Sequence, residues 1–328
     1  MKKYQAKSAC CGAKVNRFGK RRRQCITCGK TWRIRRKKLG RKPKRISTKL
    51  VESFFKHEIS SMTYISRKRE VSLALVQTMM IKSRDLFTLK TAWPAIPRGK
   101  LIIIADAVVE MIEGKWRTIY LTLVRSISGT WAVILPPLIL DGGENPDGWH
   151  EAFGRIDGAI LKRVRAVVCD GHRGILFQAK DRHWVIQRCH FHLLARIQSR
   201  RSRFAIARHR DEANTIFHHV DIVLKRGDEK EIQQSLNILE EISWLSKSKE
   251  IGNVLKGFTT NYRDFRSYMT YPELNLPATS NTAESLASII GHLKIKMRGF
   301  PTMNSFTKWI TALLKFRQRI KCNKYQPS

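Results

Sequence analysis

The first 49 residues of this 328-residue chain contain no aspartate or glutamate, although they hold 20 lysines and arginines. Acids are scarce throughout: 26 Asp and Glu face 63 Lys and Arg, a formal charge of +37, of which +17 lies beyond residue 49. Such a charge implies a polyanionic partner. DNA or RNA ranks ahead of a membrane surface, because no basic amphipathic anchor helix is visible. Long apolar runs are also missing. The longest, such as LIIIADAVV and WAVILPPLIL, fall short of the ~18 residues of a spanning helix, and the N-terminus MKKYQAKSACCG has no apolar signal core. A cytoplasmic protein with no membrane partner is expected. Cysteine is sparse, with four of the seven between positions 10 and 28, which in a reducing compartment suggests metal binding before disulfides. At 42% hydrophobic residues the chain still buries a sizeable core, in roughly two domains on length alone.

What is present begins with a basic module over residues 1–45. Within CCGAKVNRFGKRRRQCITCGKTW, Cys25-x-x-Cys28-Gly29 forms one knuckle and Cys10-Cys11-Gly12 resembles half of another. Thiolates so spaced on a tight turn reach one tetrahedral Zn2+, and the following glycine permits the left-handed backbone of the knuckle. A zinc ribbon is expected, with Cys11, Cys25 and Cys28 as ligands. The usual spacing would put the fourth at position 8, which is Ser8, so Cys10 is the expected substitute despite the awkwardness of adjacent ligands. Four reduced, non-ligating thiols are the alternative. Arg21, Arg22 and Arg23 are expected phosphate contacts, giving affinity with a steep salt dependence and little sequence selectivity.

After the linker RRKKLGRKPKRIS, residues 46–98 carry Leu50, Phe54, Phe55, Ile59, Leu73, Val76 and Met80 at helical spacing. A small helical unit is expected, its last helix starting at Ser72. The pattern suits a helix-turn-helix with Gln77, Lys82 and Arg84 as DNA contacts, and equally any three-helix packing unit.

From Lys100 the pattern turns to strands: KLIIIADAVVEM, WRTIYLTLVRS and GTWAVILPPLIL, separated by turn signals at Glu113-Gly114 and Ser128-Gly129. An amphipathic helix over about 147–163, a strand at VRAVVCDG, a second helix and a strand at HWVIQRCH follow. This β-β-β-α-β-α-β order over residues 99–194 predicts an α/β ribonuclease H-like core with helices on both faces. Residues 195–277 read as an all-helical insertion, with Ile232, Leu236, Leu239 and Ile242, then Ile251, Leu255, Phe258 and Tyr262, on single faces. Residues 278–328 complete the core. Asp106 lies on the first strand and Asp170 at the carboxyl end of the fourth, where open α/β sheets bind ligands. Such acids share Mg2+, and Glu284, heading a helix in PATSNTAESLASII, is the expected third carboxylate. Each has a plainer alternative: Asn281-x-x-Glu284 is also a capping box, and Asp170 a helix N-cap. Asp106 is harder to dismiss, because an acid in an apolar strand needs compensation.

The wording around the acids is more specific. ADAVVEM, then LKRVRAVVCDGHRGILFQAKDRHWVIQRCHFHLLARI, then TSNTAESLASIIGHLKIKMRGF resembles, in order, the three catalytic blocks of Mutator-like DDE transposases of the bacterial insertion-sequence branch. The resemblance spans about residues 100–320, and its most specific element is Cys189-x-x-His192 after the Asp-Gly-His. By position it implies a DDE triad of Asp106, Asp170 and Glu284 holding two Mg2+ or Mn2+ ions, and a helical insertion before Glu284. It implies transposon ends and target DNA as partners, a homodimer or higher assembly on DNA, and nucleoid association. His172, Cys189 and His192 would lie beside the triad, packing or hydrogen bonding near Asp170. The zinc-ribbon start would mark a variant branch. A ribonuclease H-like structure-specific nuclease and a non-catalytic DNA-binding derivative are the alternatives.

Overall fold

The computed structural model describes residues 7–8, 10–18, 22–33, 47–57, 61–202, 210–246 and 248–322. Arg21, Ile59 and all of the linker RRKKLGRKPKRIS but its last residue, Ser47, lie outside them. The chain divides into two units, Met1–Ile46 and Ser47–Ser328.

In the first unit, β1 (Val15–Phe18), β2 (Arg22–Cys25) and β3 (Thr31–Arg33) form an antiparallel sheet in that order. The turn after β2 holds Cys28, and Gly29 adopts φ +65°, the left-handed conformation expected there.

The second unit opens with α1 (Lys49–Phe55), α2 (Met62–Arg69) and α3 (Leu73–Lys90). Ser72 caps α3 as its sequence suggests, its Oγ accepting the Leu75 N–H at 3.3 Å. These helices do not stand apart from the core. Phe54, Phe55 and Phe87 pack in one cluster with Phe306, Trp309 and Leu313 near the C-terminus. That packing corrects the expected DNA-contact set: Arg84 is only 3% exposed, lying over the Trp309 ring at 5.2 Å and paired with Asp85, whereas Gln77 and Lys82 are exposed.

The sheet follows. β4 (Leu101–Ile112) and β5 (Lys115–Ser126) pair antiparallel along their full length, from Leu101↔Ser126 to Ile112↔Lys115. Glu113 and Gly114 join them with φ of 54° and 71°, the paired positive angles of a tight hairpin. The expected third strand is two: β6 (Trp131–Ile134) and β7 (Leu138–Asp141) pair separately with β5. Pro136 and Pro137 lie between them, and proline has no N–H to give a ladder. The expected helix over 147–163 is also divided, into α4 (Pro146–Gly154) and α5 (Gly158–Leu161), the second capped by Asp157. β8 (Val164–Cys169), α6 (Arg173–Asp181) and β9 (Val185–Arg188) complete the alternation. β8 runs parallel to β4, and β9 parallel to β8.

Helices α7 (His190–Ser202), α8 (Arg210–Lys225), α9 (Glu229–Leu245), α10 (Lys249–Thr260), α11 (Tyr262–Phe265) and α12 (Ser267–Thr270) come between β9 and the last core elements. They hold their own cluster, with Ile232, Leu236, Leu239, Leu255 and Phe258 buried on the faces the sequence indicates. α13 (Asn281–Met297), α14 (Met303–Arg317) and β10 (Arg319–Lys321) return to the sheet, whose order is β10-β6-β5-β4-β8-β9. α13 and α14 cover the face bearing Ile102, Ile104 and Leu121, while α4 and α6 cover the face bearing Leu101, Ile103 and Ala105. The result is a mixed sheet between helices. No helix among the described residues is long and apolar enough to cross a membrane.

Candidate active site

Register brings two acids together. The last β4–β8 partners are Ile104 and Val168. Asp106 and Asp170 each lie two residues further along, and with a side-chain period of two they continue the same face. Asp106 is 8% exposed, and its Oδ1 accepts the Ala107 N–H at 2.9 Å. Burial first, then the negative charge of Asp170 and more weakly of Glu284 and Glu144, pushes its carboxyl up to about 7.

Asp170 follows directly on β8, and its Oδ1 accepts the His172 N–H at 2.8 Å. It is not the cap of α6. That position belongs to His172, whose Nδ1 accepts the Gly174 N–H at 3.1 Å. Gly171 between them has φ +96°, and a Cβ there would lie 2.4 Å from Arg188 Nε, so a side chain would be strained and would have to displace the Arg188 guanidinium. On the other side of His172 stands Glu144, a carboxylate the sequence reading missed. Its Oε1 accepts from Trp149 Nε1 at 2.6 Å and lies 3.8 Å from His172 Nδ1. Burial, opposed by the Trp149 hydrogen bond and reinforced by Asp170, raises its carboxyl above the usual range. In GGENPDGWH it looks like part of a turn before the Asn145 cap. The five-residue spacing from a tryptophan later buried in the core was the available signal.

Glu284 stands in the first turn of α13, but not in a capping box. The helix begins at Asn281, one residue earlier than a cap at that position would require, and Ser280 holds the cap place without a side-chain capping bond. The Ser280 hydroxyl instead donates to Glu284 Oε1 at 3.2 Å. The same oxygen lies 3.6 Å from Cys189 Sγ and 3.4 Å from His192 Nδ1. Cys189 Sγ also accepts the Ser280 N–H at 3.2 Å, and burial pushes its thiol up. Cys189 and His192 are therefore neighbours of Glu284 more directly than of Asp170. A cavity of about 190 Å³ opens beside them, lined by Asp170, Arg188, His192, Arg196, Phe258 and Phe265. The oxygen donors of Asp106, Asp170 and Glu284 suit a hard divalent cation.

In the first unit, Cys10, Cys11, Cys25 and Cys28 have sulfurs within 4.8 Å of one another, a donor set that can hold zinc. Ser8, at the usual position of a fourth thiol, is 4% exposed and puts its Oγ 3.3 Å from Cys25 Sγ. Cys10 takes up the fourth place, 3.3 Å from Cys28. Hydrogen bonding with Ser8, then with the Cys28 backbone, brings the Cys25 thiol down to about 6, while shared hydrogen bonding with Cys28 pushes Cys11 up to about 12. Arg22 is exposed and Arg23 half-buried on β2.

No curated protein matches the chain. Residues 104–319, from the strand carrying Asp106 to the start of β10, match the family described as Transposase, Mutator family, and the chain belongs to that family of transposases.

Proposed function

We propose that this transposase binds the ends of a DNA element and catalyses strand cleavage, then strand transfer into target DNA, at Asp106, Asp170 and Glu284. One observation carries the reading. Asp106 on β4 and Asp170, one residue past β8, each lie two residues beyond the paired Ile104 and Val168 of parallel strands, with Glu284 close enough to help hold the Asp106 proton. The sheet order supports a ribonuclease H-like core: β6-β5-β4-β8-β9, antiparallel on one side of β4 and parallel on the other. In that reading residues 195–277 are an insertion, and 278–328 restore the core with the third acid.

Mg2+ or Mn2+ ions would be held by these three carboxylates. When bound, they supply Lewis acidity to the attacking and leaving oxygens of the phosphodiester. The chain's own groups prepare the site. The His172 amide fixes Asp170, and Ser280 with Cys189 fixes Glu284 Oε1. Asp106 must release its proton before the set carries full charge. Two chemically similar displacements follow, water attacking at the element's end and the freed 3′-hydroxyl attacking target DNA. Phosphate contacts come from the basic N-terminal unit, with Arg22 and Arg23 on β2 and the zinc-held knuckle ordering the segment, and from exposed Gln77 and Lys82 on α3. The residue 46–98 helices act as the helix-turn-helix-like reader, and a homodimer or larger assembly pairs the two ends. An assay with the purified chain, Mg2+ and DNA flanking its gene tests this, the expected products being nicked ends and joined strands. Absence of both would sink it.

Two outcomes follow from the electrostatics. Because the folded Asp106 carboxyl sits near 7, above its unfolded value, its ionisation costs stability as pH rises from about 4 through 7. Asp106→Asn should therefore raise the melting temperature of metal-free protein at pH 8 by the equivalent of a few kcal/mol, and should not raise it near pH 4. Equal shifts at both pH values would contradict the uncompensated charge. Glu144→Gln keeps an acceptor for Trp149 while removing charge beside Asp170. Thermal stability should hold, while the Mg2+ needed for half-maximal cleavage rises several-fold. An unchanged Mg2+ requirement would exclude Glu144 from the metal's field.

A further inference from the structure

We infer that Cys189, His192 and Glu284 form a second metal site, selective for zinc, that shares the Glu284 carboxylate with the proposed magnesium site. Cys189, directly before α7, and His192, in its first turn, are three residues apart. They supply only two ligands. The fold adds the third from a position 95 residues further along the chain, and the three ligand atoms all lie within 4.8 Å of one another.

Two of the three donor separations are those of a coordination shell. Zinc bonds of about 2.3 Å to sulfur, 2.0–2.1 Å to imidazole and 2.0–2.2 Å to carboxylate, set tetrahedrally, separate the donors by about 3.3–3.7 Å. Glu284 Oε1 lies 3.6 Å from Cys189 Sγ and 3.4 Å from His192 Nδ1. A plain hydrogen-bonded cluster explains less, because His192 Nδ1 is buried and has no hydrogen-bond partner. Burying such an atom costs free energy unless something meets it. The Ser280 N–H aimed at Cys189 Sγ at 3.2 Å is an outer-shell contact of the kind that stabilises a metal-bound thiolate.

Donor chemistry sets the selectivity. Thiolate and imidazole favour zinc and are poor partners for Mg2+, whereas Asp106 and Asp170 offer oxygen alone. Binding replaces the Cys189 S–H bond by a sulfur–zinc bond and releases that proton to water, with His192 neutral. The contacts from Ser280, Cys189 and His192 all fall on Oε1 of Glu284. Zinc at that oxygen leaves less charge on the carboxylate for Mg2+, so zinc raises the Mg2+ demand of cleavage. That last step rests on the proposed catalytic reading, while zinc binding itself does not.

The test uses the full chain. Protein saturated with Zn2+ and freed of excess is analysed for zinc as wild type, Cys189→Ser, His192→Ala and Cys25→Ser, with circular dichroism verifying the fold of each. Cys189→Ser and His192→Ala should each hold one zinc fewer than wild type, and Cys25→Ser should keep the zinc that those two lose. Equal zinc content in wild type and both α7 variants overturns the site, and an unfolded Cys189→Ser leaves His192→Ala to decide. In Mg2+-driven cleavage normalised to each variant's own rate, added Zn2+ should raise the Mg2+ half-saturation about tenfold in wild type and not in Cys189→Ser. A zinc difference without any Mg2+ cleavage would retain the zinc site and reject the catalytic reading. Cleavage whose Mg2+ demand ignores zinc would reject the sharing of Glu284.

Discussion

Asp106→Ala, Asp170→Ala and Glu284→Gln are each expected to lower Mg2+-dependent strand cleavage by at least ~10³-fold, the equivalent of several kcal/mol of transition-state charge stabilisation. Binding of DNA ends should change by no more than about threefold, because affinity comes from remote Lys and Arg. Glu284→Gln is the sharpest of the three. It keeps an oxygen for the Ser280 hydroxyl and preserves the start of α13. Cleavage rates and end binding measured on the same preparations separate the two effects, and full cleavage by Glu284→Gln would move the third ligand elsewhere.

The second large effect concerns the basic N-terminal unit. Removing residues 1–46 deletes 19 Lys and Arg and no acids. If about half of them neutralise phosphates, the slope of log affinity against log salt should flatten by several units, and affinity at moderate salt should fall by at least ~10²-fold. Titrations of wild type and the deletion at several salt concentrations measure both. A slope common to the two proteins would remove the segment from the DNA interface. Cleavage of saturating DNA should survive the deletion, since Asp106, Asp170 and Glu284 lie in the other unit.

Local signals carried much of this architecture. Asp106 was conspicuous as an acid in a run of isoleucines, and the later register with Asp170 follows from two strands readable one at a time. The faces of α9 and α10 were written in their own periodicity. Misreadings arose where the deciding partner is distant in sequence. Arg84 looked like a surface cation on a helix, and it is buried because Trp309, more than two hundred residues away, covers it. For Glu284, expected as the third carboxylate, the capping-box alternative could be set aside only from the fold, where the helix starts at Asn281 and Cys189 takes the backbone N–H of Ser280. Glu144 gave almost nothing away, since a glutamate in a glycine-rich turn needs the tertiary position of Trp149 and His172 to acquire meaning.

The two ends of the helical insertion meet. The His190 N–H donates to the Ala278 carbonyl at 3.0 Å, and the Ser280 N–H to Cys189 at 3.2 Å. These two bonds close the segment beside both acids, while the Ser267 hydroxyl donating to the Ile186 carbonyl and the Tyr268 N–H donating to Gln187 Oε1 anchor its later helices on β9. Closing a longer loop costs only about 0.6 kcal/mol per doubling of its length. Changes in the length of α8 and α9 are thus expected to leave both acids in register. The molecule has a place where its outline can be rewritten without retuning its chemistry.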